Sequence, residues 1–89
     1  MADLPAYGGR KMFYVYVIKS LAGTYRYVGM TGDIERRLYE HNRGKSRSTR
    51  PHKPFVIIFQ EEHKNSLDAR QREKFLKSGK GREFLDRLT

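Results

Sequence analysis

An α+β fold, a small sheet with helices packed on it, is what this 89-residue sequence predicts. Three observations predict it. Aromatic and β-branched residues cluster in two runs near the start, a third and wholly apolar run lies mid-chain, and helical periodicity with capping residues fills the stretches between and after them. The element order is β-β-α-β-α-α, which allows an antiparallel or a mixed sheet.

Residues 1–10 contain Pro5, Gly8 and Gly9, show no periodicity and read as a flexible tail. Residues 11–89 read as a single domain, the most a chain this short supports. Met12 to Lys19 is the first strand. Leu21-Ala22-Gly23 offers a turn, and Thr24 to Gly29 is the partner strand. With an even-numbered loop around Leu21-Ala22, Tyr16 falls directly opposite Tyr27, at a Cβ separation of about 4.5–5.5 Å. Taken alone, two such tyrosines are an ordinary hairpin-stabilising pair.

The first helix runs from about Ile34 to Asn42, capped by Thr31 or Asp33. At 100° per residue, Ile34 and Leu38 form its buried stripe, Arg37 and His41 stack along the edge of that stripe, and Arg36 points to water. Arg43 to Pro54 is a basic loop with Pro51 and Pro54 as breakers. Phe55 to Phe59 is apolar without alternation, as in a strand covered on both faces. Asn65 or Ser66 caps a second helix over about Leu67 to Lys77. Gly79 and Gly81 are expected to stop it, and Arg82 to Leu88 forms a last short helix. On the second helix Ala69 and Leu76 face the core and Glu73 falls between them. A carboxylate there is costly unless paired, with Arg37 or Arg72 for instance, or bound to a cation.

Nineteen Lys and Arg against ten Asp and Glu leave a net charge of +9, the balance of a polyanion binder, and nucleic acid is the commonest polyanion. Arg43, Lys45, Arg47, Arg50 and Lys53 are candidate phosphate contacts, and Lys77 and Lys80 extend the patch with Arg82 and Arg87. Such contacts position nucleic acid without reading its sequence. There is no cysteine, hence no disulfide framework and no thiolate metal site. The longest apolar run is too short to span a bilayer, and the N-terminus lacks the apolar segment of a secretory signal. The expectation is a cytoplasmic protein that touches no membrane and acts as a monomer or weak homodimer on DNA, or else on RNA.

Tyr16, Tyr27, Arg37, His41 and Glu73 together suit metal-assisted phosphodiester cleavage. Magnesium prefers one or two carboxylates, several waters and a substrate phosphate, so one inward Glu73 is enough. Arg37 and the cation neutralise charge at phosphorus, and a phenol takes a proton from the attacking water. With a pKa near 10, only about 0.3% of a free phenol is ionised near pH 7.5, so the site must favour the phenolate. A purely nucleic-acid-binding module on the same scaffold is the alternative.

Tyr14-Val15-Tyr16 and Tyr27-Val28-Gly29 resemble the two short motifs of the GIY-YIG nuclease superfamily. The likeness extends over about residues 12–88. Its strongest part runs from Tyr27 through Asp33-Ile34-Glu35-Arg36-Arg37-Leu38 to Glu40-His41-Asn42, and Arg70-Gln71-Arg72-Glu73-Lys74 resembles the family's metal-binding helix. The closest likeness is to small stand-alone bacterial members, relatives of the excinuclease subunit that makes the first repair incision. The resemblance implies a three-stranded antiparallel sheet flanked by helices and one Mg²⁺ or Mn²⁺ ion on Glu73. It also implies Arg37 as phosphate clamp, and Tyr16, Tyr27 and His41 in the active-site cluster, with either tyrosine as the base. The chain departs from the pattern at Tyr14 in place of glycine, at Met30 where repair subunits often have lysine, and at Leu85-Asp86 where larger members carry an asparagine. No separate DNA-targeting domain is evident, so cleavage of low sequence specificity is expected.

Overall fold

The computed structural model describes residues 11–88; the expected N-terminal tail lies outside them. Strands β1 (Phe13–Ser20) and β2 (Arg26–Thr31) precede helix α1 (Ile34–Asn42). A 3-10 turn (Arg50–His52) leads into β3 (Phe55–His63), and α2 (Ser66–Lys77) and α3 (Gly79–Leu88) follow. The sheet has the order β2-β1-β3 with both pairs antiparallel, so β1 is central. The fold is thus α+β with the expected element order, and the antiparallel alternative is the one realised.

The hairpin departs from the expected register. The loop between the strands is Leu21-Ala22-Gly23-Thr24, closed by the Ser20 amide donating to the Tyr25 carbonyl at 2.9 Å. The two extra loop residues slide β2 by two positions: Tyr16 pairs with Gly29, and Tyr27 pairs with Ile18. A slip of two preserves which face each side chain takes, whereas a slip of one would reverse it. The phenols therefore stay on one face but sit diagonally, with ring centroids 6.2 Å apart.

Each face of the sheet carries its own core. Val15, Val17 and Val28 pack under α2 and α3 against Ala69, Leu76 and Leu85. Tyr16, Ile18 and Phe55 pack on the opposite face with Tyr27 and with Ile34 and Leu38 of α1. The unalternating run 55–59 is covered on both faces, as expected, and a bulge adds to the loss of alternation. Across β1, Val17 pairs with Phe59 while the next residue, Ile18, pairs with Ile57, which leaves Ile58 as an extra residue. The pleat slips there, so Phe55 and Ile57 join the α1 layer while Ile58 and Phe59 join the α2–α3 layer. β3 is an edge strand, and Val56 stays exposed.

Local capping follows the residue chemistry. Asp33 caps α1, its carboxylate accepting from the Arg36 amide at 3.1 Å. Gly44 ends that helix with φ +78°. The Gly44 amide donates to the His41 carbonyl and the Lys45 amide to the Glu40 carbonyl, the paired bonds of a Schellman stop. Asn42 then clamps the start of β3, accepting from the Phe55 amide at 2.7 Å and donating to its carbonyl at 3.3 Å. Asn65 caps α2 by accepting from the Asp68 amide at 2.8 Å.

The two glycines after α2 do not act as stops. Ser78, in extended conformation, breaks the helix and starts the next one. Its hydroxyl donates to the Phe75 carbonyl at 2.5 Å and accepts from the Gly81 amide at 3.2 Å. Gly79 and Gly81 lie inside α3, which begins three residues earlier than expected. Gly81 is there for space: a Cβ on it would overlap the Phe75 carbonyl oxygen and lie 2.5 Å from Leu76 Cα. Both obstacles are backbone, which yields less than a side chain. Gly81→Ala is expected to destabilise the fold by about 3 kcal/mol, the upper end of the overpacking range. Urea unfolding checks this, with Gly79→Ala, whose added Cβ meets nothing within 4 Å, as the tolerated comparison.

Candidate active site

Sheet parity and the helix stripe bring the candidate side chains to one place. Tyr16 and Tyr27 project from neighbouring strands on the α1 face, and α1 lays its buried edge over them. The Tyr16 hydroxyl lies 2.9 Å from His41 Nε2, and His41 Nδ1 lies 2.9 Å from the Thr49 hydroxyl. The Tyr27 and His41 ring centroids are 5.0 Å apart. Tyr16 is 1% exposed, and His41 and Thr49 are fully buried.

This chain of buried polar groups has a direction. Arg37 acts on the Tyr16 hydroxyl by hydrogen bonding and by charge, and a guanidinium can only donate. The Tyr16 proton is then free to go to His41 Nε2, and the remaining ring proton, on Nδ1, goes to Thr49. The Thr49 hydroxyl in turn faces the Ser46 carbonyl at 3.5 Å, at the far end of the chain. Phenol and imidazole are both neutral in this arrangement, and their ionisation agrees. Burial, reinforced by Tyr27, pushes the Tyr16 phenol up to about 12, against a smaller opposing effect of Arg37. Burial, and then the charge of Arg37, hold the His41 imidazolium form below its ordinary range.

Gly29 makes the approach possible. A Cβ on Gly29 would sit 2.6 Å from the Tyr16 hydroxyl oxygen and 2.7 Å from Cζ. The phenol therefore crosses directly over the Gly29 backbone on its way to His41. Sequence reasoning singled out neither Thr49 nor this use of Gly29. The second-motif glycine was the available signal for Gly29; a threonine in a polar loop carries none.

Arg37 is half-buried, donates to Glu40 Oε1 at 2.9 Å, and lies within electrostatic reach of both phenols. Arg36 is mostly exposed and pairs with Asp33 and Glu40 along the outside of the helix. Glu73 comes from α2, on the other layer. Its side chain is 14% exposed, it pairs with Lys77 at 3.1 Å rather than with Arg37 or Arg72, and its charge is felt at Tyr16. Arg72 instead pairs with Glu61 at 3.0 Å and lies against Phe59, Phe75 and Phe84. The layers meet at the β2 edge, where Tyr27, Leu76 and Lys77 line one cavity. Among the described residues no group of three His, Cys, Asp or Glu could hold a metal ion by itself.

The candidate phosphate contacts divide. Lys45, Arg47 and Lys53 are exposed on the loop after α1. Arg50 is turned back onto the Gly44 carbonyl at 2.9 Å, and Arg43 lies over the Tyr39 ring while donating to its hydroxyl. Lys77 is engaged with Glu73, and Lys80 is exposed at the start of α3.

With this geometry goes a family. Residues 12–84 match the GIY-YIG catalytic domain, and the chain belongs to the GIY-YIG family. Its relatives include UPF0213 proteins. One from Halobacterium salinarum is 40% identical over 63 residues, covering 70% of this chain and 80% of that protein. One from Desulfotalea psychrophila is 33% identical over 70 residues, covering 76% of this chain and 63% of that one. A third, from Nitratidesulfovibrio vulgaris, is 41% identical over 49 residues, and the match spans 54% of this chain but only 44% of the relative. The solution NMR structure of a UPF0213 protein from Bacillus halodurans superposes with a TM-score of 0.52 at 30% identity, covering 88% of this chain and 85% of that one.

Two outcomes are expected from the buried chain. Thr49→Val leaves Nδ1–H of His41 without a partner, at a cost of about 1–3 kcal/mol, and drives the ring to the Nε2–H tautomer. Long-range ¹H–¹⁵N spectra should show that swap in Thr49→Val and its absence in Thr49→Ser. The second concerns pH. Folding favours neutral His41, whose folded pKa is depressed, so its contribution is complete above about pH 6.5 and fades as the pH falls below that value. Folding also favours neutral Tyr16, so that contribution is complete below pH 10 and fades as the pH rises toward about 12. The stability difference between wild type and Tyr16→Phe, followed by chemical unfolding, should be flat from pH 7 to 10 and shrink above it.

Proposed function

We propose that this protein is a divalent-metal-dependent endonuclease that hydrolyses phosphodiester bonds in DNA with little sequence preference, of the nicking or repair-incision kind. The observation that carries the reading is the convergence of Arg37, Tyr16, Tyr27 and His41 with the carboxylate of Glu73, which comes from a different layer. A module that only binds nucleic acid gains nothing from a largely buried carboxylate whose charge reaches the same phenol as that of Arg37.

The donor set fits a magnesium or manganese ion of a particular style. One carboxylate, with one oxygen engaged by Lys77, cannot cage a cation, but Mg²⁺ commonly keeps several waters and completes its shell with substrate phosphate. Glu73 would hold the ion, which when bound supplies charge neutralisation at the phosphate. The rest falls to the chain's own residues. Arg37 binds a non-bridging phosphate oxygen and stabilises the negative charge that builds there. Water attacks phosphorus and gives its proton to a tyrosine that enters the step as phenolate and leaves it as phenol, while the bond to the leaving sugar oxygen breaks and that oxygen takes a proton from solvent.

Tyr27 is the better acceptor of the two. Tyr16 is committed as a donor to His41, is almost fully buried and is pushed up to about 12. Tyr27 is partly exposed and opens onto the cavity at the β2 edge. Tyr16 and His41 then act as a rigid neutral wall that holds Tyr27 and Arg37 in place.

Plasmid nicking with Mg²⁺ or Mn²⁺ tests the reading. Glu73→Gln and Arg37→Ala are each expected to reduce nicking at least a hundredfold. Tyr27→Phe should fall further than Tyr16→Phe. Equal nicking by wild type and Glu73→Gln would refute the assignment, and salt-sensitive DNA binding without any cleavage by wild type would establish a binding module instead.

A further inference from the structure

Beside the site lies a cavity of about 410 Å³ lined by Thr24, Arg26, Tyr27, Val28, Leu76, Lys77, Arg82 and Leu85. Its chemistry is divided. Val28, Leu76 and Leu85 belong to the core under α2 and α3 and give it an apolar floor. Its rim is cationic. Arg26 is matched by Asp86 at 2.9 Å and Lys77 by Glu73 at 3.1 Å. Arg82, exposed on the first turns of α3, is in no ion pair among the described residues. The rim therefore carries one uncompensated positive charge over an apolar floor, next to a tyrosine whose other neighbour is His41.

We infer that this cavity is a binding site for a single nucleotide, its phosphate on Arg82 and Lys77 and its sugar–base unit over Val28, Leu76 and Leu85. The volume suits it: small-ligand sites run from about 300 to 1,000 Å³, and their walls are mostly apolar with a few placed polar groups. Charge selects the class of ligand, because a planar donor fork with no carboxylate partner matches a phosphate. Position gives it a use. A nucleotide seated here would be the one next to the phosphate held by Arg37, and Tyr27 would stand between the two phosphates. The inference rests on the endonuclease reading for that use, but the binding itself needs neither a metal ion nor cleavage.

The test is a titration of the isotopically labelled protein in EDTA with thymidine 5′-monophosphate, with thymidine and with inorganic phosphate, followed by methyl and amide NMR. The monophosphate should move the methyls of Val28, Leu76 and Leu85. Thymidine should bind at least tenfold more weakly, and inorganic phosphate should leave the floor methyls nearly unmoved. Arg82→Ala should weaken the monophosphate at least fivefold, whereas Lys64→Ala, which removes an exposed cation away from the cavity, should change it less than twofold. Shifts confined to residues 45–53, equal losses in the two variants, or no shifts at all would overturn the inference. The two readings fail separately. Nucleotide binding here without nicking by wild type would sink the nuclease assignment alone. Nicking that depends on Glu73, without these shifts, would sink the nucleotide site alone.

Discussion

The Tyr16 hydroxyl can reach His41 only by crossing Gly29 at a distance that no side chain on Gly29 would permit. Most of the arrangement follows from that contact. Because the phenol passes over Gly29, its hydroxyl comes to His41 and Arg37 of α1. The charge of Glu73, from α2, reaches the same hydroxyl. A bulkier residue at Gly29 would lift the ring, and a buried histidine would lose the only acceptor role its Nε2 has. The cost of such a loss is set by burial: polar groups with no access to water are expensive to leave unpaired.

A three-stranded sheet covered on both faces ordinarily keeps its two cores apart. Here one layer contains two tyrosines and the other contains valine, alanine and leucine. A site that draws a carboxylate from one layer and phenols from the other has to sit where the layers touch. β2 is an edge strand, short, and flanked by a four-residue loop, so it is the place where a helix on the far face can present a side chain around the sheet. Lys77 steadies Glu73 there. That ion pair orients the carboxylate at little cost, since Lys77 is itself half in water.

Periodicity read well wherever one rule governed a whole element. The faces of β1 and α1, the Asp33 and Asn65 caps and the choice of Arg37 over Arg36 as the inward arginine all follow from period and capping chemistry. Where two rules competed, the sequence was silent. Leu21-Ala22-Gly23-Thr24 contains no strong two-residue turn signal, so the loop length, and with it the register, was undetermined; only parity survived. The run Phe55 to Phe59 is covered on both faces, and a bulge at Ile58 adds to its loss of alternation. A glycine near a helix end reads as a stop, yet Gly81 serves helix–helix contact, a tertiary fact with no local signature. Thr49 is invisible for the same reason, since its partner is eight residues away on another element.

Thr49 also ties the buried chain to the charged surface. The loop that holds it carries Lys45, Arg47 and Lys53 on its outside and is pinned at both ends, by the Gly44 stop after α1 and by Asn42 and Ser20 gripping the backbone around His52 and Phe55. The loop cannot shift without altering the Thr49–His41 bond, and that bond decides which His41 nitrogen carries the ring proton. The position of this loop and the state of the Tyr16 hydrogen bond are therefore one mechanical problem. A loop merely decorated with cations would not need a fully buried threonine at its centre.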